Sequence, residues 1–138
     1  MSAPPPPPPP PPPLHLPNLA GLTLLIVDDD IDAAEILATF LKACGASVLA
    51  AVTVADALAY VDDARKLDAV VTDIAMPGID GVELARKFRR NPIRNRLPIV
   101  ALTGRYTDHP SRQAFDALVR KPVDLDELAS TIASLTRR

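Results

Sequence analysis

Short apolar runs recur along the chain, separated by longer stretches in which apolar and polar residues mix. Each run has four to six residues and shows little of the strict alternation expected of a half-exposed strand. Such runs are typical of strands covered on both faces. Five are present: Leu22–Val27, Ser47–Val52, Ala69–Thr72, Ile99–Leu102 and Ala117–Arg120.

Helix start signals lie between these runs. A residue with a side-chain oxygen followed three positions later by an acidic residue is typical of a capping box, which satisfies free backbone amides at a helix start. The pattern occurs four times, as Asp32 with Glu35, Thr53 with Asp56, Asp80 with Glu83, and Asp124 with Glu127. We therefore expect helices to begin at these four places.

Two of the predicted helices have a clear apolar face. The first is expected to end at Gly45, a natural C-terminal cap, and the third to end before Pro92. Helical spacing predicts buried residues at Ile36, Leu37, Phe40 and Leu41 in the first helix, and at Val82, Leu84, Ala85 and Phe88 in the third.

The alternation of strands and helices predicts an α/β fold. Crossover helices would cover both faces of a doubly wound, five-stranded parallel sheet. The segment before the fifth strand, Gly104–Asp116, contains Pro110 and has room for only two or three helical turns. The fourth helix is therefore expected to be short or irregular.

The first 20 residues are predicted to precede the folded domain, which would span residues 21–138. Ten consecutive prolines, Pro4 to Pro13, favour a polyproline II rod of roughly 30 Å at ~3.1 Å per residue. The rod would tether the domain, or would offer a ligand to a proline-binding partner. Residues 14–20 would be a lead-in to the first strand.

The composition is that of a globular domain, with 48% hydrophobic and 23% charged residues. No apolar run approaches the ~20 residues of a membrane span, and the N-terminal prolines do not resemble an export signal. We therefore expect a cytoplasmic protein that does not bind membranes. The single cysteine, Cys44, fits that compartment and is interpreted as a core residue rather than a reactive thiol.

The charge distribution argues against nucleic acid as the main partner. The net charge is −2, and acidic and basic residues are interspersed. One basic cluster is interpreted as a solvated helix face and loop: Arg86, Lys87, Arg89, Arg90, Arg94 and Arg96.

Polar residues follow the apolar runs at the predicted carboxyl ends of the strands, where open parallel sheets bind ligands. Strand 1 is followed by Asp28, Asp29 and Asp30, and strand 3 by Asp73. In the sheet order 2-1-3-4-5 these strands are neighbours, so their carboxylates converge. Thr103 and Lys121, after strands 4 and 5, would face them.

The mutual repulsion of converging carboxylates must be offset by another interaction. Two of them ~4 Å apart at an effective dielectric of ~20 repel by about 4 kcal/mol. Either a raised pKa on one acid or a bound hard cation would offset this, and carboxylate and carbonyl oxygens suit Mg²⁺. Aspartates at strand ends also cap helices, and we assign that role to Asp30 or Asp32. For Asp28, Asp29 and Asp73 we favour a Mg²⁺ site in which Asp73 accepts a phosphoryl group.

These positions resemble the receiver domains of response regulators in two-component signalling, which have a flavodoxin-like fold. The matching segments are LLIVDDD (Leu24–Asp30), VVTDIAMPGIDG (Val70–Gly81), PIVALTG (Pro98–Gly104) and RKPVD (Arg120–Asp124). The order of the segments matches as well.

The resemblance assigns roles to particular residues. It makes Asp73 the phosphoacceptor, and it places Mg²⁺ on Asp28, Asp29, Asp73 and the carbonyl of Ala75. Thr103 would be the switch hydroxyl and Lys121 the phosphate-sensing cation, with a cis bond between Lys121 and Pro122. The phosphodonor would be a histidine kinase or phosphotransfer protein, and the signal would pass to a downstream target protein.

The chain departs from the family on the face that transmits the signal. Leu118 stands where the family usually has Phe or Tyr, and Ala114 stands where it usually has glycine. The interval from Thr103 to Lys121 is shorter than usual by about one helical turn.

Two alternatives remain open. Asp28 and Asp30 after an apolar strand mimic the nucleophile and acid of a haloacid dehalogenase-type phosphatase. The departures would also suit a degenerate receiver that acts as a constitutive interaction module. With no output domain expected after the last helix, the chain would be a stand-alone regulator or the receiver of a hybrid kinase.

Overall fold

The structure is a computed structural model that describes residues 3–7, 17–62, 66–75, 81–104 and 114–137. These residues form a sheet of five parallel strands in the order β2-β1-β3-β4-β5. The predicted α/β fold and strand order are confirmed. The strands are β1 Thr23–Val27, β2 Ser47–Ala51, β3 Ala69–Asp73, β4 Ile99–Thr103 and β5 Ala117–Arg120.

Four helices lie within the described residues: α1 Ile31–Ala43, α2 Val54–Ala59, α3 Gly81–Arg90 and α4 Leu125–Thr136. None of the helices in these ranges is both long enough and apolar enough to cross a membrane. The irregular helix predicted within Gly104–Asp116 falls largely on residues 105–113, which lie outside the described residues, and so does the predicted cap Asp80.

Alternate residues of each strand supply two separate apolar cores, one on each face of the sheet. On one face Leu24 and Ile26 pack with residues of α1 and α4. On the other, Leu25 and Val27 pack with residues of α2 and α3. The central strands β1, β3 and β4 are therefore buried on both sides, as their composition predicts, whereas the outer strands β2 and β5 are only partly buried.

Helix α1 begins earlier than its capping pattern predicts. Its N-cap is Asp30, whose carboxylate accepts hydrogen bonds from the backbone N–H groups of Asp32 and Ala33. The capping box of Asp32 with Glu35 is therefore wrong, and of the two candidate caps, Asp30 and Asp32, the helix uses Asp30. Thr53 and Asp124 do cap α2 and α4 as predicted.

The end of α1 is a Schellman motif. Gly45 has φ +102°, the Gly45 N–H donates to the Lys42 carbonyl, and the Ala46 N–H donates to the Leu41 carbonyl. The predicted glycine terminator is confirmed.

The rotation of α1 also differs from the prediction. Its buried residues are Ala34, Leu37 and Leu41, whereas Ile36 is 61% exposed. The burial predicted for Ile36 is wrong, because the side of α1 that packs in the core is the one that carries Ala34, Leu37 and Leu41. The apolar face of α3 is confirmed, with Val82, Leu84, Ala85 and Phe88 all buried.

Two residues of the basic cluster do not lie on a freely solvated face. Arg94 is buried, and the guanidinium of Arg89 donates to the carbonyls of Asn95 and Leu97 and to the carboxylate of Asp116. For these two residues the predicted solvated face is wrong. Cys44 is buried in the core as predicted, and burial raises the pKa of its thiol.

Candidate functional site

The carboxyl ends of four neighbouring strands bring the predicted site residues together. The pairing of β1 with β3 places Val27 opposite Thr72, so the next residues, Asp28 and Asp73, follow at the same level. Thr103 ends β4 and lies opposite Arg120 of β5, and Lys121 comes next along the chain. The strand register alone therefore aligns residues that are up to 93 positions apart in sequence.

Asp28, Asp29 and Asp73 form one cluster. Each offers a carboxylate oxygen, and these three oxygens lie within 4.8 Å of one another. Asp28 and Asp73 are buried, whereas Asp29 is exposed. The predicted convergence is thus present, with one member open to solvent.

Asp28 is the member most removed from water. Its Oδ1 accepts a hydrogen bond of 2.9 Å from the Asp30 N–H, and its own N–H donates to the Ala51 carbonyl. Burial raises the pKa of Asp28 above its ordinary value, and the charges of Asp73 and Asp29 raise it further. The Asp30 N–H and the ammonium of Lys121 oppose these effects but do not cancel them. Burial and the neighbouring carboxylates therefore both make the ionised form of Asp28 less favourable.

Asp73 has a cationic partner. The Nζ of Lys121 lies 3.0 Å from Asp73 Oδ2, and the Lys121 side chain is 38% exposed. The backbone positions Lys121, since its N–H donates to the Thr103 carbonyl at 2.8 Å. The peptide bond from Lys121 to Pro122 is cis, as expected. Thr103 itself is buried at the same rim of the sheet.

Gly81 lets the start of α3 approach the end of β3. A Cβ at this position would collide with the backbone oxygen of Asp73 and would lie 3.0 Å from the Ile74 Cα. The Gly81 N–H instead donates to the Ile74 carbonyl at 2.8 Å. The sequence interpretation assigned Gly81 no role, although its place in the loop after Asp73 was a usable signal.

Two other contributions were not predicted. The hydroxyl of Thr72, in the middle of the sheet, donates to the Asp73 carbonyl at 3.0 Å. The N–H of Asp30 donates to the Asp28 carboxylate, in addition to the capping of α1 by the Asp30 carboxylate, which the sequence had left open between Asp30 and Asp32. Both are short-range contacts whose direction a sequence pattern does not specify.

The donor set suits a hard divalent cation. Three carboxylates whose oxygens lie within 4.8 Å of one another carry more negative charge than the one ammonium of Lys121 offsets. Oxygen ligands of this kind are those that Mg²⁺ takes. Ala75, whose carbonyl the sequence analysis assigned to the metal, is exposed two residues beyond Asp73.

The model of one protein family matches this chain. Its description is "Response regulator receiver domain", and the match covers residues 24–133, from the start of the sheet into the last helix. All of the residues named for the site lie within the match.

Known proteins show the same likeness. The phosphate regulon transcriptional regulatory protein PhoB of Pseudomonas aeruginosa is 32% identical over 124 residues, which cover 87% of this chain and 54% of PhoB. A 14.6 kDa protein of Leptolyngbya boryana is 38% identical over 119 residues, covering 82% of this chain and 88% of that protein. The chain thus spans about half the length of PhoB and most of the smaller relative.

A solved structure of similar sequence is that of the Thermotoga maritima response regulator TrrA in complex with Mg²⁺ and BeF. It superposes with a TM-score of 0.74 and 31% identity, over 83% of this chain and 98% of that one.

Proposed function

The chain belongs to the response regulator receiver domain family, and on that premise we propose that Asp73 accepts a phosphoryl group in Mg²⁺-dependent two-component signalling. The observation that carries the proposal is the contact of Lys121 Nζ with Asp73 Oδ2, at 3.0 Å, inside a cluster of three carboxylates. A cation beside one chosen carboxylate can hold the charge of a phosphoryl group added to that carboxylate.

The donor is proposed to be a phosphohistidine on a histidine kinase or phosphotransfer protein. An oxygen of Asp73 attacks phosphorus, the bond to the donor imidazole breaks, and the imidazole takes up a proton as it leaves. The product is an acyl phosphate on Asp73. Receivers are signalling domains rather than enzymes acting on an external substrate, so the chain catalyses only its own phosphorylation and dephosphorylation.

Asp28, Asp29, Asp73 and the carbonyl of Ala75 would hold Mg²⁺. A bound Mg²⁺ supplies positive charge that offsets the negative charge of the transferred group. The protein's part is to position the acceptor. Lys121 pairs with one side of Asp73, and Gly81 keeps the start of α3 close to the Asp73 carbonyl.

Asp73 is a better acceptor than Asp28, the nucleophile in the phosphatase alternative. Asp28 is 2% exposed, and one of its oxygens already accepts the Asp30 N–H. The Asp73 carboxylate instead lies against the partly exposed Lys121.

Thr103 and Lys121 are proposed to carry the signal to a downstream target protein. Both belong to adjacent strand ends and are joined by the backbone hydrogen bond from Lys121 to Thr103. Leu118 is half-buried against the core on the α2 and α3 side of the sheet, together with Phe115. A change at the rim would therefore reach the surface by repacking aliphatic side chains around β5.

Labelling with acetyl phosphate tests the acceptor. In the presence of Mg²⁺ we expect the protein to gain one phosphoryl group that base or hydroxylamine removes, as an acyl phosphate requires; intact-mass spectrometry detects this group and EDTA prevents its formation. Asp73→Asn should abolish the label. Asp126→Asn, an exposed residue in the first turn of α4, is the control and should label normally.

Normal labelling of Asp73→Asn, together with loss of the label in Asp28→Asn, would contradict the proposal. It would place the phosphoryl group on Asp28 and favour the phosphatase alternative.

A further inference from the structure

A second cleft lies at the end of the sheet opposite the carboxylate cluster. Its volume is about 780 Å³, and three segments far apart in sequence line it: residues 67–68 before β3, residues 93–98 before β4, and residues 135–137 at the end of α4. Because the strands are parallel, their amino ends and carboxyl ends occupy opposite rims. A strand of five residues separates the two rims by roughly 17 Å at ~3.3 Å per residue, so this cleft is no part of the carboxylate site.

The cleft is basic in a protein whose net charge is −2. Arg94, Arg96 and Arg137 all contribute to its lining. One acid, Asp68, is also there, but its carboxylate already accepts the Thr23 N–H at 2.7 Å and lies 3.5 Å from Lys66 Nζ. The net charge of the lining is therefore positive, and an anionic ligand would meet guanidinium groups.

The same cleft exposes apolar surface. Ile93 is 83% exposed, the highest value among the large exposed hydrophobic residues of the described chain. Leu67, Leu97 and Leu135 also contribute to the lining. A cleft that combines guanidinium groups with aliphatic side chains suits a ligand that carries both negative charge and an apolar group.

The turn that presents Ile93 is held from two sides. Asn91 Oδ1 accepts the N–H groups of Ile93 and Arg94, while its Nδ2 donates to the Val61 carbonyl and to Asp62. Farther along the turn, Arg89 donates to two backbone carbonyls, those of residues 95 and 97. The hydrogen bonds of this turn therefore hold Ile93 in its exposed position, and a ligand that binds there would not have to order the turn.

We propose that this cleft is a docking site for an acidic segment of a partner protein that carries an apolar anchor residue. The carboxylates would pair with Arg96 and Arg137, whose planar guanidinium groups match carboxylates. The anchor would pack against Ile93 and Leu135. Nucleic acid is a poorer fit, because a phosphate backbone needs an extended basic surface and offers no aliphatic group.

The proposal does not depend on phosphorylation of Asp73. The docking site lies at the opposite rim of the sheet, so binding there should be the same in Asp73→Asn as in the parent protein. Failure of the phosphoacceptor proposal would leave this one standing, and the reverse also holds.

A defined probe tests the site. The probe is a fluorescein-labelled peptide of two leucines flanked on each side by two glutamates, titrated by anisotropy at about 0.15 M salt, where long-range attraction is screened. We expect saturable binding, with amide shift changes in ¹⁵N spectra at residues 93–97 and 135–137.

Matched variants separate this cleft from general charge. The double variant Arg96→Gln/Arg137→Gln should weaken binding about tenfold, since two charge-assisted contacts are lost. Arg86→Gln/Arg90→Gln removes the same charge from exposed positions of α3 and should change affinity by less than about twofold, because solvent and salt screen those charges. Ile93→Ser keeps every charge and should also weaken binding. Spectra of the free variants, unchanged away from the substitutions, establish that each is folded.

Several results would overturn the proposal. The proposal fails if the peptide does not bind at millimolar concentration, or if the two double variants lose the same affinity for it. It also fails if a peptide with glutamines in place of glutamates binds with equal affinity. Tighter binding of a twelve-nucleotide oligothymidylate at the same residues would assign the cleft to nucleic acid instead.

Discussion

The aspartates that end β1 and β3 have different environments. Asp73 pairs with Lys121, whereas Asp28 is buried and accepts only a backbone N–H among the hydrogen bonds described here. Burial and two neighbouring carboxylates raise the pKa of Asp28. The ionised form of Asp28 is therefore unfavourable in the folded protein.

Asp28→Asn should stabilise the metal-free protein. Asparagine keeps an oxygen to accept the Asp30 N–H and removes one negative charge. We expect a rise in melting temperature of roughly 4 °C in EDTA at pH 7, equivalent to about 1 kcal/mol.

The pH dependence of this stabilisation follows from the raised pKa of Asp28. Because the folded pKa of Asp28 lies above the unfolded value, its ionisation destabilises the fold at pH values above the folded pKa. The advantage of asparagine should therefore be full at pH 7 and should disappear as the pH falls through the folded pKa toward the ordinary value of 3.8. An unchanged or lower melting temperature at pH 7 would mean that the carboxylates do not repel one another.

Gly81→Ala should harm both stability and phosphorylation. The new methyl group would collide with the backbone of Asp73, and backbone atoms cannot move aside as the end of a flexible side chain can. We expect a loss of about 1–3 kcal/mol in urea unfolding and slower labelling by acetyl phosphate. Gly104→Ala is the matched control, because nothing lies within 4 Å of the position of its Cβ. Equal effects of the two substitutions would exclude the close approach as the cause.

At the scale of the element, α3 connects the rim of the sheet that carries Asp73 with the opposite rim. Its first residue, Gly81, touches the end of β3 that carries Asp73. Near its last turn, Arg89 reaches the start of β4 and the carboxylate of Asp116, which also accepts the Ile99 N–H at 2.7 Å. The helix is therefore fixed at both of its ends to the sheet.

Arg89→Lys should destabilise the fold by about 1–2 kcal/mol, measured by urea unfolding. A single ammonium group cannot span two carbonyls and a carboxylate as the guanidinium does. Arg86→Lys, an exposed change on the same helix, should have little effect. A similar loss in both variants would show that the loss comes from the helix and not from these contacts.

At the scale of the whole molecule, folding brings two sites of opposite charge to opposite rims of one sheet. The acidic rim holds the carboxylate cluster, and the basic rim holds the three arginines around Ile93. Residues 3–7, at the start of the chain, are exposed, whereas Leu19 is fully buried and its N–H donates to the Cys44 carbonyl. Packing against the domain is thus established by residue 19.

Removal of residues 1–13 should leave the melting temperature and the labelling of Asp73 within error of the full chain. The described residues of this segment, 3–7, make no buried apolar contact. Leu19→Ala shows that the assay is sensitive, because it should cost about 2–4 kcal/mol. A loss of several degrees in the truncated protein would show that the proline tract docks on the domain.

The sequence by itself determined the strands, their order and the residues of the carboxylate site. Its apolar runs match the observed strands to within one residue at each end, and β5 matches at both. Parallel strands bring their carboxyl ends to one rim of the sheet. The convergence of Asp28, Asp29 and Asp73 follows directly.

Only the tertiary structure decided the rotation of α1, the burial of Arg94 and the difference between Asp28 and Asp29. Helical periodicity specifies which residues share a face but not which of two adjacent rows meets the sheet, so Ile36 was placed inside although it is exposed. Capping chemistry likewise allowed Asp30 or Asp32. The basic cleft could not be predicted from the sequence, although Arg94 and Arg96 belong to the basic cluster, because its lining comes from three segments that meet only after the sheet has formed.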